Sequence, residues 1–384
     1  MSDVLAQPVL NLQRPNTSET VIGAPSISVT GGNDITPPIH SADRLLPLDG
    51  WRGLSILAVL ACHMLPLGPK SWGLNEPAGL LGMSLFFTLS GFLITSMLLK
   101  RLDIRAFFIR RACRILPLVL LYTIAVLAAL HAPLHTWLAH LFFTINYDTD
   151  QLTFLTGHLW SICVEIHFYL FIGLSCFILR RYTFYLLPIL ALAVTALRIR
   201  WHVYYSITTH LRVDEILAGA CLALIYHNFL VAPIRKFLSF PRLQPILAIL
   251  LLLSCHPLGG PLNYFRPYFA ASLVGTSLCQ SNRLRKFLLL RPLAYIAAIS
   301  YALYIVHPLT LHGWLVSGSK PIMYAKRPLC FAITFALAHL STYTWEKHWI
   351  AQGKRWSEDP SRSRHSTGFT APFVNVPTKS LRAE

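Results

Sequence analysis

Apolar runs long enough to cross a bilayer recur along this 384-residue chain from about Leu54 to about Trp349. A spanning helix needs about 20 mostly apolar residues. In lipid every backbone N–H and C=O must find its partner within the protein, so repeated runs of this length require a helical bundle or a closed barrel. Runs this long and unbroken read as helices rather than as short alternating strands. Ten cores are read, at 53–68, 79–99, 113–131, 158–179, 182–199, 213–231, 243–258, 265–280, 292–311 and 328–349. Residues 134–145 are apolar but too short to span, and fit a re-entrant or interfacial helix. Composition agrees. The chain is 54% hydrophobic and 13% charged, against about 25% charged for a soluble domain. The expected fold is all-α: a polytopic integral membrane bundle of about ten transmembrane helices.

A net charge of +17 would suit a nucleic-acid partner, but the basic residues fall in short blocks between apolar runs, the pattern of membrane topology. No nucleic acid is expected. One set of loops holds Lys100, Arg101, Arg105, Arg110, Arg111, Arg114, Arg180, Arg181, Arg235, Lys236, Arg242, Arg283, Arg285, Lys286 and Arg291. The opposite set holds Lys70, Arg198, Arg200, Arg212, Lys320, Lys326 and Arg327. The first set is about twice as rich and is assigned to the cytoplasm. With an even number of spans, both termini are then cytoplasmic. Residues 1–43 are rich in Ser, Thr, Pro, Asn and Gly and read as a disordered cytoplasmic tail. The membrane domain covers 44–352, and 353–384 reads as a second such tail. Eight cysteines are scattered without a Cys-x-x-Cys pair. They read as small buried side chains, and no metal site is expected.

Ionisable residues inside such spans are costly and mark functional paths by default. Arg52 and His63 stand eleven residues apart in the first core. At ~100° per residue they fall on one helix face, about 16 Å apart along the axis. A neutral imidazole suits a general base, and a permanent guanidinium suits phosphate or a developing oxyanion. The plain alternatives are a core histidine and an interfacial anchor. Ser90 and Gly91 are small residues within the apolar segment from Met83 to Thr95, and by composition alone they serve helix packing. Arg110 and Arg114 share a helix face, as do Arg111 and Arg114. Such a cluster can hold a phosphorylated donor, or serve as a topology signal that touches anionic membrane lipids.

In the segment from His158 to Tyr169, His158, Ser161, Glu165 and Tyr169 line one stripe. Glu165 could orient a histidine, pair with an arginine or hold an acceptor hydroxyl. Arg212, Asp214 and Glu215 open another span and read as mutually neutralising. Ser300, Tyr304 and His307 share a face, as do His339 and Glu346.

Taken in order, these segments resemble the membrane-bound acyltransferase-3 family, which includes bacterial O-acyltransferases of surface polysaccharides. The resemblance covers about residues 44–349. It rests on Leu48 to Gly53 with His63, on Ser84 to Ile94, on Phe108 to Pro117, on Trp160 to Tyr169 and on Ser300 to Pro308. Trp51, His167 and the proline-free stretch after Glu346 depart from the family pattern. The resemblance implies transfer of an acyl group, acetyl by family analogy, from acyl-coenzyme A to a hydroxyl. The acceptor would be a cell-surface carbohydrate or a lipid-linked molecule, and the site the bacterial inner membrane. His63, Arg52 and Glu165 would be catalytic. Arg110, Arg111, Arg114, Ser90, Trp160, Tyr169, Tyr304 and His307 would bind substrates. Acyl-coenzyme A would enter as co-substrate, with no bound cofactor. The rival reading is a proton-coupled transporter or flippase. It fits buried His, Glu and Arg, but no inverted repeat or matching pair of Gly/Pro-broken spans is visible.

Overall fold

Helix ends in this chain are set by prolines and capping side chains as much as by the apolar pattern. Pro47 occupies the first turn of helix α1 (Leu46–Met64), where its missing N–H costs nothing. Helix α2 (Asn75–Lys100) follows. The Asp103 carboxylate accepts from the Ala106 backbone N–H at 3.0 Å and starts helix α3 (Ile104–Ala129). The computed structural model describes residues 45–229 and 232–358. Within them follow α4 (Leu134–Leu141), α5 (Trp160–Leu179), α6 (Thr183–Arg200), α7 (Thr209–Arg212) and α8 (Asp214–Tyr226). Then come α9 (Ala232–Leu238), α10 (Leu243–Cys255), α11 (Leu262–Cys279) and α12 (Arg283–Leu288). The last are α13 (Arg291–Val306), α14 (Lys320–Ala325), α15 (Arg327–Ser341) and α16 (Lys347–Ser357).

The described residues form an all-helical structure with no strand. Among them, four stretches are long and apolar enough to cross a membrane: 75–100, 104–129, 157–200 and 291–311. The third holds two helices, α5 and α6, separated by a single 3-10 turn at Arg180–Tyr182, where Arg180 takes a φ of 54°. The short apolar segment read at 134–145 is the eight-residue α4. The N-terminal tail read at 1–43 lies outside the described residues. Helix α16 runs to Ser357, beyond the boundary read at residue 353, and 359–384 again lie outside.

Two sequence expectations shift. Arg105, Arg110 and Arg111, counted with a loop and outside the core read at 113–131, belong to the spanning helix itself: the Asp103 cap starts α3 well before residue 113, and with Arg114 they ride on its first three turns. Arg198 and Arg212, counted among loop charges, are only 2% and 1% exposed. Both belong to a buried ion cluster described below.

α1 packs against both α2 and α13, and α2 packs on its other side against α8. α8 in turn meets α6 and α11, while α16 lies along α3. The α2–α8 contact is close because Gly91 and Gly219 face each other's helix. A Cβ on Gly91 would stand 1.8 Å from the Ile216 carbonyl oxygen, and one on Gly219 would stand 2.0 Å from that of Thr88. Small residues at such crossings let backbones approach where lipid gives no hydrophobic drive.

Candidate active site

α1 carries Arg52 in its second turn and His63 in its last. The two side chains reach different cavities. His63 lines a cavity of about 820 Å³ together with His158, Trp160, Tyr304 and His307. Arg52 lines a much smaller one, about 40 Å³, together with Ser90, Arg111, Arg114, Glu165 and Tyr169. The sequence candidates therefore divide into two groups at opposite ends of α1.

In the large cavity His63 Nδ1 lies 3.0 Å from His307 Nε2. His307 Nδ1 lies 2.8 Å from the Tyr304 carbonyl oxygen. A carbonyl only accepts, so His307 Nδ1 carries the proton. In neutral His307 the Nε2 is then an acceptor, and His63 Nδ1 must donate to it. This leaves Nε2 of His63 as the lone-pair nitrogen of an exposed ring. A histidine held in that tautomer can accept a proton from a hydroxyl. α13 positions His307 at its C-terminal end, where Pro308 stops the helix and a 3-10 turn begins.

His158, at the start of the segment leading into α5, packs edge-on to Tyr304 and His307 at centroid distances of 5.3 and 5.2 Å. Tyr304 is tied down by its hydroxyl, which lies 2.5 Å from the His158 carbonyl and 2.6 Å from Ser161 Oγ. This bond joins α13 to the N-terminal end of α5 and holds the cavity wall. Among the described residues, no group of three or more His, Cys, Asp or Glu side chains is placed to hold a metal ion.

In the small cavity the Glu165 carboxylate accepts from Ser90 and from Tyr169. Ser90 thus does more than let helices approach, while its neighbour Gly91 serves the packing. Arg52, Arg111 and Arg114 line the same cavity, and the Arg111 guanidinium sits 5.8 Å from the Tyr169 ring centroid. Three guanidiniums around one carboxylate leave this end of the bundle suited to an anion. Arg110 stands apart: it is exposed, and its Nε donates to Ser357 Oγ at 2.8 Å, fastening α16 to α3.

An aromatic pair joins the walls of the two cavities. Phe86 lines the small one and Tyr304 the large one. Their rings stack at 6.2 Å with an interplanar angle of 8°. Ser300, read on one face with Tyr304 and His307, opens instead to the small cavity.

Sequence reasoning passed over Arg327, Glu76 and Tyr205, all of which line the large cavity, and read Arg212 as merely neutralised. Arg327 did carry a signal. Lys326-Arg327-Pro328 opens α15, and cations there oppose the helix dipole.

The sequence model of the Acyl_transf_3 family, described as an acyltransferase domain, matches residues 46–344. The peptidoglycan O-acetyltransferase OatA of Listeria monocytogenes is 25% identical over 79% of this chain and 55% of its own length. YrhL of Bacillus subtilis, provisionally named a peptidoglycan O-acetyltransferase, is 26% identical over 85% of this chain and 60% of its own. A Staphylococcus aureus protein provisionally named an O-acetyltransferase is 27% identical over 76% of this chain and 56% of its own. The chain thus spans a little over half the length of these curated relatives. No solved structure matches it.

Proposed function

The chain belongs to the Acyl_transf_3 acyltransferase family, and on that premise we propose that it is an integral-membrane O-acyltransferase. It moves an acyl group, acetyl by the names of its relatives, from acyl-coenzyme A to a hydroxyl of a cell-surface carbohydrate. The same relatives favour a peptidoglycan-type glycan. The bundle crosses the bacterial inner membrane ten times with both termini in the cytoplasm. Taking Arg198 and Arg212 out of the opposite loop set, because they are buried, sharpens the charge asymmetry behind that orientation.

The observation that carries this reading is the placement of two complementary cavities at opposite ends of one helix. The arginine end, with Arg52, Arg111 and Arg114, faces the cytoplasm and holds the donor's phosphates. The histidine end faces outward and receives the acceptor. The thioester is carried along α1 past Phe86 and Tyr304. There His63 Nε2 takes the proton of the acceptor hydroxyl as its oxygen attacks the thioester carbonyl. The tetrahedral intermediate collapses, the carbon–sulfur bond breaks, and the departing thiolate takes that proton from His63. The products are an ester and free coenzyme A. Glu165 orients Ser90 and Tyr169 and balances part of the guanidinium charge.

Removing a general base costs ~10²–10⁴ in rate. Mass spectrometry of surface glycans from a deletion strain, the wild type and His63→Ala at matched expression tests this. A hydroxyl-linked acyl mass present with wild type and absent from the other two is expected. An unchanged acyl level in His63→Ala would sink the mechanism.

A further inference from the structure

From two arginines that the reaction above does not use, we propose that the large cavity recognises an anionic group on the acceptor, a carboxylate or a phosphate. This rests on the acyltransferase reading for the word acceptor, but the anion site itself stands on geometry.

Arg212 is 1% exposed, yet it lines the cavity. Three aromatic rings confine its guanidinium: Tyr205 at 5.3 Å, Trp160 at 5.6 Å and Phe87 at 5.8 Å from centroid to Cζ. Its natural counter-charge is already claimed. Glu215 Oε1 accepts from Arg266 Nε at 3.0 Å and from Ser84 at 2.6 Å. Glu215 Oε2 lies 3.2 Å from Arg212 Nη2, but without hydrogen-bond alignment. Nε and Nη2 of Arg212 are both buried without an acceptor.

The surrounding charges do not close either. Asp214 pairs with Arg198, so the three guanidiniums of Arg198, Arg212 and Arg266 face two carboxylates and leave one positive charge. A buried donor without a partner is costly, and more so when charged. Arg327 repeats the pattern in the same cavity. It lines the same space, and its Nε and Nη1 are likewise buried without an acceptor. Its place in the first turn of α15 sets its charge against the helix dipole. Among the described residues that line the cavity, Glu76 is the one carboxylate, and it is exposed. Two guanidiniums with unused N–H groups in the lining of one cavity supply fork-shaped donors for an oxyanion. The acceptor is thus an acidic sugar, presenting its hydroxyl to His63 while the arginines hold its charge.

The test is equilibrium binding to the full chain, purified in lipid nanodiscs. The probes are methyl glucuronide, glucosyl phosphate and the neutral methyl glucoside. At least one anionic sugar should bind about tenfold or more tighter than the neutral one, the scale of charge-assisted hydrogen bonds. Whichever binds tighter identifies carboxylate or phosphate. Arg327→Gln, at a half-buried position outside the ion cluster, should bring that sugar down to the neutral level. Arg212→Lys should do the same, and Arg327→Gln carries the test if Arg212→Lys does not fold. The neutral sugar binding as tightly as both anionic ones overturns the proposal, as does a preference that survives Arg327→Gln. His63→Ala should keep the preference, because binding does not read catalysis. Anion preference in a protein that fails the glycan acylation test above would sink the acyltransferase reading and leave this site standing. Transfer without anion preference would do the reverse.

Discussion

At the scale of single residues, the arrangement turns on which nitrogen of His63 holds a proton. The chain from the Tyr304 carbonyl through His307 to His63 decides that. On this geometry His307 acts on His63 as a positioning residue, and it also lines the large cavity, where the family resemblance gave it a substrate-binding role. Its substitution should therefore be graded by what the new side chain can accept. His307→Gln keeps an oxygen able to accept from His63 Nδ1 and should retain more thioester turnover than His307→Ala. Both should lose less than His63→Ala, because the base itself remains. Release of free coenzyme A by purified protein measures this, and equal losses in the two His307 variants would remove the tautomer argument. That Arg52 and His63 ride on one helix was legible from helical periodicity, whereas their reaching two different cavities was not. The His63–His307 contact was not legible either, because 244 residues separate the partners. Periodicity says which residues share a face, and it is silent on which face meets which.

Among the helices, the close α2–α8 crossing and the buried ion cluster make opposite demands on their neighbours. The first demands the absence of a side chain. Gly91→Ala places a Cβ against the Ile216 carbonyl, and overpacking of this kind costs about 1–3 kcal/mol. Thermal unfolding in detergent should show the midpoint fall, and an unchanged midpoint would mean the helices part without penalty. The ion cluster demands a partner. Arg266→Met takes from Glu215 Oε1 the hydrogen bond donated by Arg266 Nε and leaves it Ser84 and the poorly aligned Arg212, and a lost hydrogen bond to a charged group costs about 1.5–3 kcal/mol. The same melting experiment should show the midpoint fall, and an unchanged midpoint would mean that Ser84 and Arg212 satisfy Glu215 alone. The local part of this cluster, Arg212 with Asp214 and Glu215, was visible in the sequence as neutralising charges. Arg198 and Arg266 were not, since they look respectively like a loop charge and an isolated cation. α3 gave a similar lesson. Its arginines were read in a loop because the apolar pattern starts late, while the Asp103 cap starts the helix early.

For the molecule as a whole, the proposed function gives α1 a donor end and an acceptor end, and topology must agree. Trp72, 60% exposed between α1 and α2, should lie outside, and Arg101, exposed between α2 and α3, should lie inside. In a cysteine-free background, Trp72→Cys should react with a membrane-impermeant maleimide in intact spheroplasts. Arg101→Cys should react only after permeabilisation, and the reverse pattern would invert the donor and acceptor ends. The ion cluster also bears on how the protein is made. Each charged group in it is costly to leave alone in a bilayer. Asp214 emerges from the ribosome to find Arg198 already synthesised, and Glu215 has Arg212 three residues behind it. Arg266 follows Glu215 by 51 residues. The cluster therefore closes only on delivery of α11, so α6, α8 and α11 share one assembly step. Until then Glu215 depends on the insertion machinery, or on water at the bilayer edge, for part of its solvation.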